Sequence, residues 1–296
     1  MPWKPIKFCR TVNKLLMNHL QLYHDVCKEC SAHITKRYST SFSLGIRMLD
    51  KSIRNPIYSI YGFVRFGDEI VDTFHEYPKE ELFEEFKKDT WKAIRMGISL
   101  NPVLHSFQMV VNEYKIEDEL VEAFLKSMEA DLYQSEHEQQ SYEEYIYGSA
   151  EVVGLMTLRV FCNGDDAEYH RLKPYARSLG AAFQKVNFLR DIKSDFQERG
   201  RVYFPGVDFE NFTNTDKAII EADIEKDFNH AYIGIKQLPE NARFGVYLAY
   251  KYYRNLFDKI KRRDAGQVIN KRIRINDFKK AVLLMKSAIV LKLGVF

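Results

Sequence analysis

Glycine and proline are scarce in this sequence, with 14 and 8 residues among 296. The chain has no alternating pattern of apolar and polar residues, no repeat with a period of roughly 20–50 residues, and no linker rich in proline, glycine or serine. Because helix breakers are few and 46% of the residues are hydrophobic, the chain can form long helices around a large core. These properties argue against a β architecture and predict one all-α domain.

Long apolar runs and a charge of one sign are also missing. No stretch reaches the roughly 18 apolar residues that a membrane span needs, and 44 basic residues nearly balance 41 acidic ones. No basic run is interleaved with aromatic residues, so nucleic acid is not an expected partner. We expect a cytoplasmic protein with peripheral contact to the inner face of the membrane. The oligomeric state stays open.

The N-terminus and the cysteines carry little functional signal. Residues 1–16 are basic but lack a long apolar core, which argues against a signal peptide. We interpret 1–16 as an N-terminal extension and 17–296 as the domain that carries the function. Cys27 and Cys30 form a lone Cys-x-x-Cys without the second pair that a zinc site would need. We therefore interpret the cysteines as inert thiols in a reducing compartment.

Several catalytic motifs are absent. The sequence has no His-Glu-x-x-His, no Gly-x-Ser-x-Gly and no Walker loop, which argues against ordinary hydrolases. It contains no Gly-x-Gly either, so the dinucleotide-binding fingerprint is missing.

A row of oxygen-bearing side chains stands out instead. Asn187, Asp191 and Asp195 are spaced i, i+4, i+8, and Gln184 precedes them by three residues. No proline or glycine interrupts 181–198, and we expect a helix from Pro174 to Phe196. That helix would place these side chains in one row, about 6 Å apart. The intervening residues are largely apolar, which indicates that the row lies on a mostly buried helix.

A second row occurs earlier in the chain. Asp68 and Asp72 are spaced i, i+4, and Arg65 lies one turn before them. One such row is typical of a solvated helix face, but two rows among aromatic and aliphatic residues argue against that interpretation. Buried carboxylates need a compensating cation. Carboxylate and amide oxygens suit Mg²⁺, with Mn²⁺ as the alternative.

Two facing rows would also define the ligand. Mg²⁺ usually binds one or two carboxylates together with substrate phosphates, so a diphosphate is the expected partner. The metal would make diphosphate a better leaving group, and its departure would leave a carbocation. The 21 Phe and 18 Tyr can supply walls that stabilise such a cation and exclude water.

Two further segments have both a structural and a functional interpretation. The run Tyr38-Ser39-Thr40-Ser41 is either a helix cap or a source of phosphate contacts. Gly148, Ala150 and Gly154 thin a helix predicted over 141–161, for a close helix neighbour or for a slender ligand.

Two acidic residues need separate comment. Glu151 lies within the same apolar segment as the small residues, without a partner nearby in the sequence. We interpret Asp131, on the helix predicted from Asp118 to Tyr133, as a surface carboxylate rather than a cavity residue.

These motifs together resemble the squalene/phytoene synthase family over most of the chain, from about Val26 to Leu291. The resemblance is carried by three segments, Arg65-x-x-Asp68-x-x-x-Asp72, Tyr145-x4-Ala150-x3-Gly154-Leu-Met156, and Leu179-Gly180-x3-Gln184-x2-Asn187-x2-Arg190-Asp191-x3-Asp195 followed by Arg201-x-Tyr203-x-Pro205. It implies a single-domain isoprenoid-synthase helical bundle with a central cavity. It also implies head-to-head condensation of two prenyl diphosphates through a cyclopropyl intermediate.

The resemblance also implies roles for individual residues. Metal ligands would be Asp68, Asp72, Asn187 and Asp191. Catalytic roles would fall to Asp68, Asp72, Asp191, Asp195 and Tyr253. Diphosphate contacts would come from Tyr38, Ser39, Thr40, Ser41, Arg65, Arg190, Tyr253 and, less directly, Arg272. The pocket would be lined by Phe42, Tyr61, Tyr147, Ala150, Gly154 and Gln184. Two positions depart from the family pattern, since Glu69 replaces a second Asp and Glu151 replaces a small residue.

Three functions remain to be compared. We favour the conversion of two geranylgeranyl diphosphates to phytoene in carotenoid biosynthesis. The runner-up is squalene or dehydrosqualene synthesis from farnesyl diphosphate, and squalene formation would require NADPH. A more distant alternative is a non-catalytic helical assembly factor of the same fold, which the intact aspartate rows argue against.

Overall fold

The computed structural model describes residues 6–133, 139–193, 203–270 and 273, without the side chains of 6–17 and 139–141. All regular structure within these residues is helical, which confirms the predicted all-α class. The helices are α1 Ile6–Tyr38, α2 Thr40–Arg47, α3 Lys51–Thr73, α4 Lys79–Met96, α5 Pro102–Tyr114, α6 Asp118–Tyr133, α7 Gln139–Ile146, α8 Val152–Cys162, α9 Asp166–Ile192, α10 Asn214–Gln237, α11 Glu240–Lys261 and α12 Ala265–Asn270. A π-helical turn, Tyr147–Glu151, joins α7 to α8.

Side-chain caps define where several helices begin. The Ser39 hydroxyl accepts a hydrogen bond from the Phe42 backbone and caps the start of α2. The segment from Tyr38 to Ser41 therefore does contain a helix cap, as one of its two interpretations predicted. Thr213 and Asp216 form a capping box at the start of α10. Gly97 ends α4 in the left-handed conformation, with φ of 66°.

Two helix boundaries differ from the sequence expectation. We expected the helix of the second aspartate row to begin at Pro174, but α9 begins at Asp166 and continues through that proline. The Asp165 carboxylate caps the helix by accepting a hydrogen bond from the Glu168 backbone, which fixes its start before the proline. The boundary expected after residue 16 falls inside α1, and the division into extension and catalytic domain stays a prediction.

The helices form a bundle around α3, α8 and α9. Helices α1, α4, α5 and α6 pack on the outer side of α3, while α10 runs along the outer side of α9. Helices α2 and α11 pack against each other and close the remaining side. None of the helices in the described part of the chain is long and apolar enough to cross a bilayer.

Candidate active site

A cavity of about 790 Å³ lies between α2, α3, α8, α9 and α11. Most of the residues that the sequence singled out line this one space. They are Tyr38, Ser39, Ser41, Phe42, Tyr61, Arg65, Asp68, Asp72, Ala150, Gly154, Gln184, Asn187, Arg190, Asp191 and Tyr253. Segments that are far apart in the sequence therefore meet around a single cavity.

The two aspartate rows line the same cavity. Asp68 and Asp72 reach it from α3, and Asn187 and Asp191 reach it from α9. Their spacing of four residues keeps each pair on one helix face. Both rows therefore present carboxylate or amide oxygens to one space.

Asp68 lies in an acidic and poorly solvated part of the cavity. Burial raises the pKa of its carboxyl group to about 7, and the negative charges of Asp72, Asp131 and Glu69 add to this effect while Arg65 opposes it. The side chain keeps 34% of its exposure, and its exposed surface lines the cavity. Burial is the main cause of this shift, and the positive charge of Arg65 does not cancel it.

Arg65 links the first aspartate row to Tyr38 at the end of α1. Its guanidinium pairs with Glu69 one turn further along α3 and lies 3.9 Å from Asp68. It also lies over the ring of Tyr38, 4.5 Å from the ring centroid. Glu69, where the sequence departs from the family pattern, is therefore the ion-pair partner of Arg65.

The second row has its own arginine and an aromatic support. The Nε atom of Arg190 donates to Asp191 over 3.0 Å. The Tyr253 hydroxyl, from α11, donates to Asn187 over 3.3 Å, and its ring stacks on Phe183 with centroids 3.9 Å apart. Burial raises the pKa of Tyr253, so this hydroxyl keeps its proton.

Asp131 corrects one of our sequence interpretations. It is not a surface carboxylate, because only 8% of the residue is exposed and it lines the cavity. The Tyr145 hydroxyl donates to it over 2.8 Å, and burial holds the pKa of that tyrosine well above its usual range. The helical periodicity of apolar residues along α6 could not predict that Asp131 is buried, because its hydrogen-bond partner lies on another helix.

Tyr147 is a second correction, since it is not among the residues that line the cavity. The guanidinium of Arg177 covers its ring at 5.2 Å and also pairs with Glu151. The π turn explains the difference. Val152 bonds back to the Tyr147 carbonyl, five residues earlier, and this extra residue rotates Tyr147 by about 100° from the face of an ordinary helix.

The departure at Glu151 also has a structural account. Glu151 pairs with Arg177 and is not among the residues that line the cavity. Burial raises the pKa of its carboxyl group, and Arg177 opposes that shift. The unusual residue therefore ties the π turn to α9 and does not alter the cavity shape.

The small residues serve both of the roles that the sequence left open. A Cβ on Gly154 would lie 3.0 Å from the Ala176 carbonyl oxygen, and one on Gly180 would lie 2.7 Å from that of Ala150. Helix α9 therefore packs directly against α8 and the π turn. Ala150, Gly154 and Gly180 also line the cavity, so the thin helices widen it.

Some predicted residues lie elsewhere. Thr40 is exposed at the start of α2 and is not among the lining residues. Asp195, Arg201 and Arg272 lie outside the described residues.

The donor set fits a divalent cation that is shared with a ligand. In the described ranges, no three His, Cys, Asp or Glu side chains converge closely enough to hold an ion by themselves. Asp68, Asp72, Asn187 and Asp191 nevertheless present carboxylate and amide oxygens to one cavity, with an excess of negative charge around Asp68. Such sets bind Mg²⁺ when substrate phosphates supply the remaining oxygens.

Comparison with known families gives a match over most of the chain. The squalene/phytoene synthase family profile matches residues 35–279. The chain is 27% identical to the 15-cis-phytoene synthase of Synechocystis sp., over 88% of this chain and 83% of that protein. It is 23% identical to the 4,4'-diapophytoene synthase of Staphylococcus haemolyticus, over 84% of this chain and 90% of that protein.

Solved structures share the fold. A dehydrosqualene synthase in complex with ligand superposes with a TM-score of 0.76 at 20% identity, over 91% of this chain and 98% of that chain. The squalene synthase HpnC from Alicyclobacillus acidocaldarius gives a TM-score of 0.71 at 18% identity, over 86% and 97% of the two chains. The helical isoprenoid-synthase fold implied by the sequence is thereby confirmed.

Proposed function

The chain belongs to the squalene/phytoene synthase family of prenyltransferases, and from this premise we propose that it joins two geranylgeranyl diphosphates head to head to form phytoene. The single observation that carries the proposal is the pair of aspartate rows lining one cavity together with aromatic and aliphatic side chains. The reaction would pass through a cyclopropyl diphosphate, and the pathway would be carotenoid biosynthesis.

The polar end of the cavity would bind the diphosphate groups. Arg65 and Arg190 line it, and each is held by a carboxylate of its own helix. Guanidinium groups bind phosphate oxygens through paired hydrogen bonds. Ser39 and Ser41, at the cavity-lining start of α2, would add hydroxyl groups. These residues would hold the leaving group in place while the prenyl tail lies in the apolar part.

A divalent cation completes this arrangement. Mg²⁺, or Mn²⁺ as the alternative, would be held by Asp68, Asp72, Asn187 and Asp191 together with substrate phosphates. When bound, the ion would neutralise charge on the departing diphosphate. The residues themselves align the substrate and provide the acidic environment that retains the ion.

The aromatic wall would protect the carbocation. Phe42 lies 5.4 Å from Tyr61 and 6.3 Å from Tyr253, measured between ring centroids, and all three rings line the cavity. Their π faces can stabilise positive charge while the packed side chains exclude water. Burial raises the pKa of Tyr61 to about 12, so its hydroxyl stays neutral during the reaction.

The alternative substrate is farnesyl diphosphate, giving dehydrosqualene, or squalene if NADPH is used. The diapophytoene synthase relative and the two structural neighbours favour keeping this alternative. A non-catalytic assembly factor is the less favoured proposal, because it gives no reason for the facing aspartate rows. Cytoplasmic location and peripheral membrane contact during product release also belong to this proposal.

Incubation with each prenyl diphosphate tests the assignment. Purified protein would receive geranylgeranyl or farnesyl diphosphate with Mg²⁺, with and without NADPH, and the hydrocarbon would be identified by mass spectrometry. We expect phytoene from the twenty-carbon substrate without NADPH. Squalene or dehydrosqualene as the main product would establish the alternative. No coupled hydrocarbon from either substrate would refute both enzyme proposals.

A further inference from the structure

The connection between α4 and α5 carries exposed apolar side chains. Leu100 is 96% exposed, and Met96 and Ile98, within the same five residues, are exposed as well. Residues 97–101 contain no charged side chain. Single exposed apolar residues are common on protein surfaces, but a group of them at one place marks a surface that contacts another molecule or a membrane.

Helix α1 extends this apolar surface. The Tyr23 hydroxyl donates to the Ser99 carbonyl, so α1 meets the α4–α5 connection at this point. Leu20 is exposed one turn before Tyr23, on the same face of the helix, and Ile98 and Leu100 flank Ser99 in the chain. Two further exposed residues of α1 follow within the next two turns. We call the whole group the α1–α4 patch, and its members are Leu20, Leu22, Val26, Met96, Ile98 and Leu100.

The α1–α4 patch borders a basic part of the chain. The first 24 residues contain four basic residues and no acidic one. Lys7, Arg10 and Lys14 occupy one row of positions along α1, because they are spaced by three and four residues. Arg95 adds an exposed cation in the last turn of α4. The first acidic residue, Asp25, is paired with a lysine 3.6 Å away. Positive charge next to exposed apolar side chains complements a bilayer with anionic lipids.

The α1–α4 patch lies at the level of the apolar part of the cavity. Helices α3 and α4 are antiparallel neighbours, and Phe63 stacks on Phe86 with ring centroids 5.6 Å apart. Met96 follows Phe86 by ten residues, and Ile57 precedes Phe63 by six, so the α4–α5 connection is level with the first turns of α3. Ile57 lines the cavity about 22 Å along α3 from Asp72. A partner docked on the patch would therefore lie nearer to the apolar part of the cavity than to the aspartate rows.

We propose that the α1–α4 patch is a docking surface for a bilayer that contains anionic lipids. The apolar side chains enter the lipid interface, and the neighbouring basic residues attract the head groups. The choice of a membrane as the partner rests on the proposed function, whose hydrocarbon product dissolves in lipid and not in water. A second copy of the chain fits less well, because a symmetric contact would bring the two basic stretches together.

Vesicle flotation of the full-length protein tests the proposal. The vesicles contain phosphatidylcholine alone or an equal mixture with phosphatidylglycerol, and the bound fraction is measured at low and high salt. We expect binding to the anionic vesicles that weakens as salt is added. Leu100→Glu should weaken this binding at least ~10-fold, because it removes an apolar side chain and adds a negative charge. Arg95→Gln should weaken it about fivefold through the loss of one cation. Ile219→Glu, at an exposed position on α10, is the matched control and should bind like the wild type.

Two results overturn the proposal directly. One is a wild type that does not bind anionic vesicles, and the other is equal binding by Leu100→Glu and Ile219→Glu. Light scattering adds a third, since a wild-type dimer that Leu100→Glu converts to a monomer would assign the patch to a second copy of the chain.

Product formation in detergent solution separates this inference from the proposed function. Hydrocarbon synthesis by a protein that does not bind vesicles overturns the docking surface alone. Vesicle binding that depends on Leu100, by a protein that makes no hydrocarbon, refutes the proposed function and leaves the docking surface in place.

Discussion

Replacing Asp68 by Asn tests the acidic cluster directly, and the expected effect is a more stable protein without metal. Burial raises the pKa of Asp68 from 3.8 to about 7. The folded state therefore binds more protons than the unfolded state between these values, so the metal-free protein loses stability as pH rises through this window. The full penalty is present above pH 7 and vanishes below pH 4. Asparagine carries no charge, so the variant does not lose this stability as the pH rises.

The magnitude follows from the shift. About three pKa units correspond to roughly 4 kcal/mol. Because the side chain keeps 34% of its exposure, solvent screening reduces this to about 2 kcal/mol. For a chain of this size, that difference raises the melting temperature by roughly 4–8 °C. The gain should be seen at pH 8 in EDTA and should be nearly absent at pH 4.5.

Thermal unfolding followed by circular dichroism measures both values. Asp258→Asn, on α11 and not among the cavity-lining residues, is the control and should show the same pH dependence as the wild type. The reasoning is refuted if Asp68→Asn is no more stable than the wild type at pH 8, or if its advantage is equally large at pH 4.5. Product formation by the same variant should fall at least ~100-fold, since a metal ligand of the proposed site is lost.

Three other changes probe separate parts of the site. Asp191→Ala should reduce product formation by at least ~1000-fold with the fold retained by circular dichroism, and undiminished turnover would exclude the metal assignment. Tyr145→Phe removes the donor to the buried Asp131 and should cost about 1–3 kcal/mol in chemical unfolding, whereas no change would mean that the bond is not formed. Gly180→Ala puts a methyl group 2.7 Å from a carbonyl oxygen of the π turn and should destabilise the protein by about 1–3 kcal/mol. The control Gly266→Ala, whose added methyl group would have its nearest atom at 3.5 Å, should not destabilise it. Equal effects of the two substitutions would contradict the close packing at Gly180.

The two aspartate rows were predictable because their geometry is local. A spacing of four residues places side chains on one helix face whatever the helix packs against, so Asp68 and Asp72 had to share a direction, as did Asn187 and Asp191. That both directions meet in one cavity is a property of the bundle. The sequence supported it only through the apolar residues that flank each row.

The residues that were misplaced depend on contacts between helices. Asp131 is polar at a position that suits either surface or core, and its burial is decided by Tyr145 on another segment. Tyr147 left the cavity face because one π turn adds a residue to the local repeat. Helix periodicity, which assumes a constant 3.6 residues per turn, has no means of detecting such an insertion.

The arginines show how the cavity holds its charges before a ligand binds. Arg190 is paired with Asp191 and Arg65 with Glu69, so in each row a cation is neutralised by a carboxylate of the same helix. In the proposed site, a diphosphate that arrived with Mg²⁺ would offer Arg190 and Asp191 better partners, because the ion would take carboxylate oxygens and the guanidinium would take phosphate oxygens. Either exchange alone would leave one charge buried without compensation. If the proposed site is correct, we therefore expect the ion and the diphosphate to depend on each other for binding at the second row.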